Sequence, residues 1–67
     1  MIRTETIVEY DIAKKDYKTI AMERLNELIK REFIERSDIL EFSTNHGTST
    51  ASGLRYFSVT ISWWKEE

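Results

Sequence analysis

The one histidine of this chain, His46, stands beside Gly47 in a run of small hydroxyl residues, Thr48, Ser49, Thr50 and Ser52. An imidazole close to a hydroxyl is the elementary pairing of a base with a nucleophile. That chemistry needs a rigid scaffold and a third group to orient the base. Asn45 to Gly53 instead offers nine residues without a charge or a large apolar side chain. Asn, Gly, Ser and Thr are the residues a hairpin connection uses, because they tolerate positive φ or satisfy backbone groups locally. The segment therefore reads as a long hairpin turn, with His46, Gly47, Thr48 and Ser49 as its candidate functional residues. Its N–H groups and hydroxyls could cradle an anion, but no lysine follows as in the Gly-x-x-x-x-Gly-Lys-Ser/Thr pattern.

Other reactive groups are scattered. Glu23 with Glu27, Glu32 with Glu35, and Glu66 with Glu67 are the paired carboxylates. Acid–base work requires two such groups in a cleft, with pKa values driven apart by burial, whereas these fall on a solvated helix face and on the tail. Lys14, Lys15 and Lys18, with Tyr10 and Tyr17 nearby, form the only basic cluster, diluted by Asp11 and Asp16. There is no cysteine, which removes disulfides and the common zinc sites together. No residue set joins nucleophile, base and cleft, so the expectation is a protein that is not an enzyme, with no catalytic residue, no metal site and no cofactor that the residues identify.

Sixty-seven residues make one domain, 1–67, with no length for a second core. A chain this short gains only about 3–5 kcal/mol net from a single core. Without disulfides or metal, association with a second copy is the remaining support. Ten basic against twelve acidic residues leave a net charge of −2, so nothing draws the chain to nucleic acid or to an anionic membrane. The longest apolar run is three residues, Ile20 to Met22, too short for a membrane span or a signal-peptide core. The expected setting is the cytoplasm.

The elements follow from periodicity. Ile2 to Tyr10 alternates, with Ile2, Thr4, Thr6, Val8 and Tyr10 on one side and Arg3, Glu5, Ile7 and Glu9 on the other, as in a half-buried strand. From Asp16, an N-cap residue type, Tyr17, Ala21, Met22, Leu25, Leu28, Ile29 and Phe33 share one helical stripe. That helix is expected to stop near Glu35 to Ser37. A second strand spans Asp38 to Thr44, with Leu40 and Phe42 facing the helix. The third strand, Leu54 to Lys65, presents Phe57, Val59, Ile61 and Trp63 as an unbroken apolar face, which suits the centre of a sheet beneath a helix. The fold class is α+β, a β-α-β-β chain with a three-stranded antiparallel sheet in the order 1-3-2 and one amphipathic helix on one face, joined by a right-handed crossover.

One helix cannot cover both faces. Ile7, Ile39, Tyr56 and Trp64, with Leu54 near the hairpin, are placed on the uncovered side as candidate ligand or interface residues, since clustered exposed apolar groups mark binding surfaces. At this point the chain resembles the dodecins, small flavin-storing proteins of similar length and strand order. The last strand carries the likeness, Arg55-Tyr56-Phe57-Ser58-Val59-Thr60-Ile61-Ser62-Trp63 resembling the family's Tyr-Gln-Val-Thr-Leu pattern. The family's Trp early in the second strand and its Gln in the last have no counterpart here, so no flavin contact carries over. The chain is similar in length and strand order to small Bacillus sporulation-associated proteins as well. What the dodecin resemblance implies is a homo-oligomer without catalytic activity, holding a ligand between subunits. The expected function is thus a small binding protein that self-assembles through the helix-free face and encloses a small-molecule ligand. The alternative is a phage- or mobile-element-encoded inhibitor that docks on a host protein.

Overall fold

The computed structural model describes residues 1–12 and 16–66. Strand β1 (Ile2–Tyr10) is followed by helix α1 (Tyr17–Arg31), a short 3-10 turn at Arg36–Asp38, and strands β2 (Ile39–Thr48) and β3 (Arg55–Trp64). The sheet order is β1-β3-β2, and both pairings are antiparallel. This is the expected β-α-β-β arrangement, with α1 crossing from one edge strand to the other.

The chemistry of each boundary is local. Asp16 caps α1: its carboxylate accepts from the Thr19 N–H at 3.2 Å and the Thr19 hydroxyl at 2.7 Å. These bonds satisfy one of the donors that every helix start leaves unpaired. The C-terminus closes at Glu32, earlier than the expected Glu35 to Ser37. There the Ile34 N–H returns to the Ile29 carbonyl at 3.0 Å and the Phe33 N–H to the Lys30 carbonyl at 3.3 Å. This is a Schellman closure, with Phe33 at φ 52° where glycine is usual. The absence of a glycine hid the stop.

The core lies between α1 and one sheet face. Ala21, Leu25 and Leu28 of the helix and Ile34 beyond it bury against Val59, Ile61 and Trp63, with Ile7, Ile29, Ile39 and Phe57 packed around them. Each fully buried aliphatic side chain contributes about 1.5–3 kcal/mol from water exclusion. The fifteen-residue helix reaches about 22 Å, so it spans the sheet from Phe57 to Trp63 and leaves the hairpin end to project. The molecule is accordingly elongated, 40 × 20 × 16 Å.

Two expectations about side-chain direction are overturned. Ile7 pairs with Val59 and Ile39 with Trp63, and both pack on the core beneath the helix rather than on the uncovered face. Register supplies the reason. Residues opposite each other in an antiparallel ladder share a face, so the whole Arg3, Glu5, Ile7, Glu9 set turns toward α1. Glu9 is accommodated there by Arg24 at 3.2 Å. In β2 a bulge between Ile39 and Glu41 reverses the alternation at the strand's start, sending Ile39 inward and leaving Leu40 exposed. Phe42 opposes Ile61 on the helix side, yet it is half exposed because α1 lies over β1 and β3.

The turn is also shorter than expected. Asn45 to Thr48 belong to β2, and the hairpin closes where the Ser49 N–H donates to the Leu54 carbonyl at 2.8 Å. Gly53, at φ 73°, supplies the left-handed residue. The expected start of β3 at Leu54 and end at Lys65 contract by one residue at each end.

Candidate functional site on the helix-free sheet face

Register assigns the residues that face away from α1. β1 contributes Ile2, Thr4, Thr6, Val8 and Tyr10; β3 contributes Tyr56, Ser58, Thr60, Ser62 and Trp64; β2 contributes Glu41, Ser43, Asn45 and Gly47. Glu41 is the one charge among these fourteen positions, in a chain that is 33% charged. A solvated sheet face in so charged a protein would carry its share of Lys and Glu. This one is smooth and neutral.

Its centre is a ladder of hydroxyls. Thr4 and Ser62 approach to 2.9 Å and Thr6 and Thr60 to 3.0 Å, each pair joined by one hydroxyl–hydroxyl hydrogen bond across the β1–β3 ladder. In each pair one hydroxyl donates to the other, which satisfies one of the two protons and lowers part of the cost of covering them. Apolar groups flank the ladder at both ends. Ile2, 63% exposed, lies opposite Trp64, 48% exposed. At the other end Tyr10 opposes Tyr56, with ring centroids 6.4 Å apart and planes tilted by 59°, within the centroid range of aromatic pairs.

Gly47 has a specific part at that end. A β-carbon there would lie 3.0 Å from the Tyr56 hydroxyl oxygen and 3.2 Å from two ring carbons. The absence of a side chain lets the Tyr56 ring lie across β2, in contact with the backbone. Beside it, Thr6, Val8, Tyr10, Asn45, Tyr56 and Ser58, with Thr48 at the end of β2 and the turn residues Ser49 and Thr50, line a shallow depression of about 470 Å³. Aromatic edges, one amide and several hydroxyls make it suited to a small neutral ligand.

Of the residues expected on this face, the structure brings Tyr56 and Trp64 to it and removes Ile7 and Ile39 to the core side. Leu54 closes the hairpin, half buried, at the margin. Sequence reasoning missed Ile2, Val8 and Tyr10. The signal was present, since Thr4 and Thr6 match Ser62 and Thr60 as an inter-strand hydroxyl ladder, but alternation sorts residues into two sets without saying which set meets the helix.

The loop candidates separate. His46 opposes Phe57 on the helix side, while Gly47 opposes Tyr56 on the other. The Ser49 hydroxyl accepts from the Ser52 N–H at 3.4 Å, and the Ser52 hydroxyl from the Leu54 N–H at 3.3 Å. These hydroxyls are engaged in holding the turn. The His46 N–H donates to the Asn45 side chain at 3.0 Å. Lys14, Lys15 and Glu67 lie outside the described residues, so the basic cluster and the Glu66–Glu67 pair are not assembled here. Glu32 is held by Lys65 at 2.9 Å; that hydrogen bond, then the ammonium charge, keeps its carboxyl below the usual range. Among the described residues no three His, Asp or Glu side chains gather as metal ligands. No helix in the structure is long and apolar enough to cross a membrane. No family model matches this chain, and comparison with curated proteins and with solved structures finds no significant match.

Proposed function

We propose that this chain is a cytoplasmic, non-enzymatic binding protein that assembles with further copies of itself through the helix-free sheet face and holds a small neutral ligand between them. One observation carries the reading: fourteen surface positions with a single charge, Glu41, and with Ile2, Val8, Tyr10 and Trp64 exposed. Covering such a face removes apolar area from water, and the hydrogen bonds within its central hydroxyl pairs offset part of the desolvation cost. The depression at Tyr10 and Tyr56 is the place for the ligand, enclosed when a second face closes over it.

Native mass spectrometry tests this directly. The expected result is a mass that is a multiple of the 8.0 kDa chain, with any retained ligand resolved as added mass. Replacing Tyr56 and Trp64 together with Ser is expected to lower the stoichiometry; a single-chain mass for the wild type at micromolar concentration overturns the reading.

The unpaired outer edges of β1 and β2, nine and ten residues long, favour a second reading. In it the chain is a phage- or mobile-element-encoded inhibitor that adds a strand to a host protein's sheet. Recovery of one defined host protein with the single chain, and no self-assembly, would support that reading over the first.

A further inference from the structure

We propose that β1 pairs with β1 of a second copy across a two-fold axis at Thr6, joining two three-stranded sheets into one of six strands. The outer edge of β1 is organised for it. Met1 exchanges both backbone bonds with Lys65, each at 2.8 Å, and the Asp11 N–H donates to the Arg55 carbonyl at 2.8 Å. Antiparallel bonding alternates residue by residue, so the odd positions of β1 spend their backbone groups on β3. Ile2, Thr4, Thr6, Val8 and Tyr10 direct theirs outward, and among the described residues the Tyr10 carbonyl alone is engaged locally, by the Ile12 N–H at 2.9 Å.

The strand reads as its own complement. With the axis at Thr6, Arg3 stands opposite Glu9 of the second copy, and the same pair recurs by symmetry. Thr4 then meets Val8 and Ile2 meets Tyr10, so all nine residues of β1 find partners. Moving the axis one residue toward the N-terminus sets Glu5 against Glu5; moving it one residue the other way sets Glu5 against Glu9. Directly opposed like charges destabilise a ladder and opposite ones support it. An axis at Thr4 also opposes unlike charges, Arg3 against Glu5, but it pairs only residues 1 to 7, whereas the central register pairs all nine residues of the strand.

The rest of the molecule accepts the arrangement. The axis is perpendicular to the sheet, so both helices stay on one face. With α1 over β1 and β3 and strands about 4.8 Å apart, the two helix axes come to about 10 Å, an ordinary packing distance for helix pairs. The groove of about 470 Å³ between β1 and α1 closes in the process. Its charges balance, Arg24 and Arg31 against Glu5 and Glu27.

Area supplies an independent reason, one that rests on the face-to-face reading above. Three strands of about nine residues give each face a flat footprint of roughly 420 Å², so two single sheets stacked make a small interface. Edge pairing doubles the footprint of each stacked face. The assembly is then four chains, two six-stranded sheets stacked on their neutral faces.

The test uses charge exchange read by native mass spectrometry. Arg3→Glu alone sets a carboxylate against Glu9 at both symmetric positions and is expected to weaken the edge by roughly tenfold or more, so that four-chain species give way to smaller ones. Glu9→Arg alone acts likewise. Mixed in equal amounts, the two variants restore opposite charges at both positions, and four-chain species with two of each variant are expected. Thr6→Pro removes an outward N–H without touching the β3 ladder and is expected to lower the stoichiometry with the circular dichroism spectrum unchanged. The proposal is overturned if Arg3→Glu keeps the wild-type stoichiometry or if mixing restores nothing. The outcomes separate the two interfaces. A wild type of two chains that Arg3→Glu splits supports the edge and removes the face, whereas sensitivity to Tyr56→Ser with Trp64→Ser alone removes the edge.

Discussion

Phe33 is the residue least explained by folding. It is 88% exposed and holds a left-handed conformation, φ 52°, that costs a residue with a β-carbon about 1–2 kcal/mol. Nothing buried is lost by removing it. Phe33→Gly is therefore expected to stabilise the protein by about 1 kcal/mol, seen as a rise of roughly 4–8 °C in melting temperature. A fall would mean that the ring contributes packing. The helical stripe placed Phe33 with the core residues because its spacing fits 100° per residue; the helix ends two residues sooner, and the reversal turns the ring to solvent. Gly47, in contrast, was readable as special but not for its reason. Its role depends on Tyr56, nine positions away in sequence and adjacent only across the β2–β3 ladder.

At the scale of elements, both ends of α1 are tied by carboxylates whose pKa values lie below their ordinary range. Asp16 is lowered first by the Thr19 hydroxyl and then by its backbone N–H, and Glu32 is lowered by Lys65. A depressed folded pKa contributes stability above the unfolded value, near pH 4, which is lost as pH falls through the folded value. Melting temperature is therefore expected to change little on account of these groups between pH 7 and pH 5 and to drop below about pH 4. Lys65→Met should make that drop shallower by removing the cause of the Glu32 shift. Asp16→Ala should lower the melting temperature at neutral pH by several degrees, with a loss of helical ellipticity, because the Thr19 N–H loses its acceptor. The N-cap was legible from the residue type. The bulge at Ile39/Glu41 was not, since an extra residue in an edge strand leaves no periodic mark of its own.

For the whole molecule, the thin core sets the margin. Ile61 is fully buried at the centre of β3, and Ile61→Ala is expected to cost about 2–5 kcal/mol. A domain of this size has roughly 3–10 kcal/mol in all, so the variant should be largely unfolded at 37 °C by circular dichroism. Assembly would add to that margin by mass action. The melting temperature of the wild type is accordingly expected to rise with protein concentration, and to become independent of it in the Tyr56→Ser, Trp64→Ser variant carrying Arg3→Glu. A concentration-independent wild type would contradict both proposed contacts.

The amino-acid order alone determined the elements, the strand order and the central strand. Those follow from local periods of two and 3.6 residues and from one unbroken apolar row, Phe57, Val59, Ile61 and Trp63. Tertiary structure decided which half of each edge strand turns inward. In β1 the choice fell against composition, sending Arg3, Glu5 and Glu9 toward α1 with Ile7, because Ile7 fills the space over Val59 and Arg24 answers Glu9. A set that is mostly charged reads as a solvent face until its partners across the core are known. That one inversion turned a mixed surface into the neutral face of Ile2, Thr4, Thr6, Val8 and Tyr10 on which the proposed function rests.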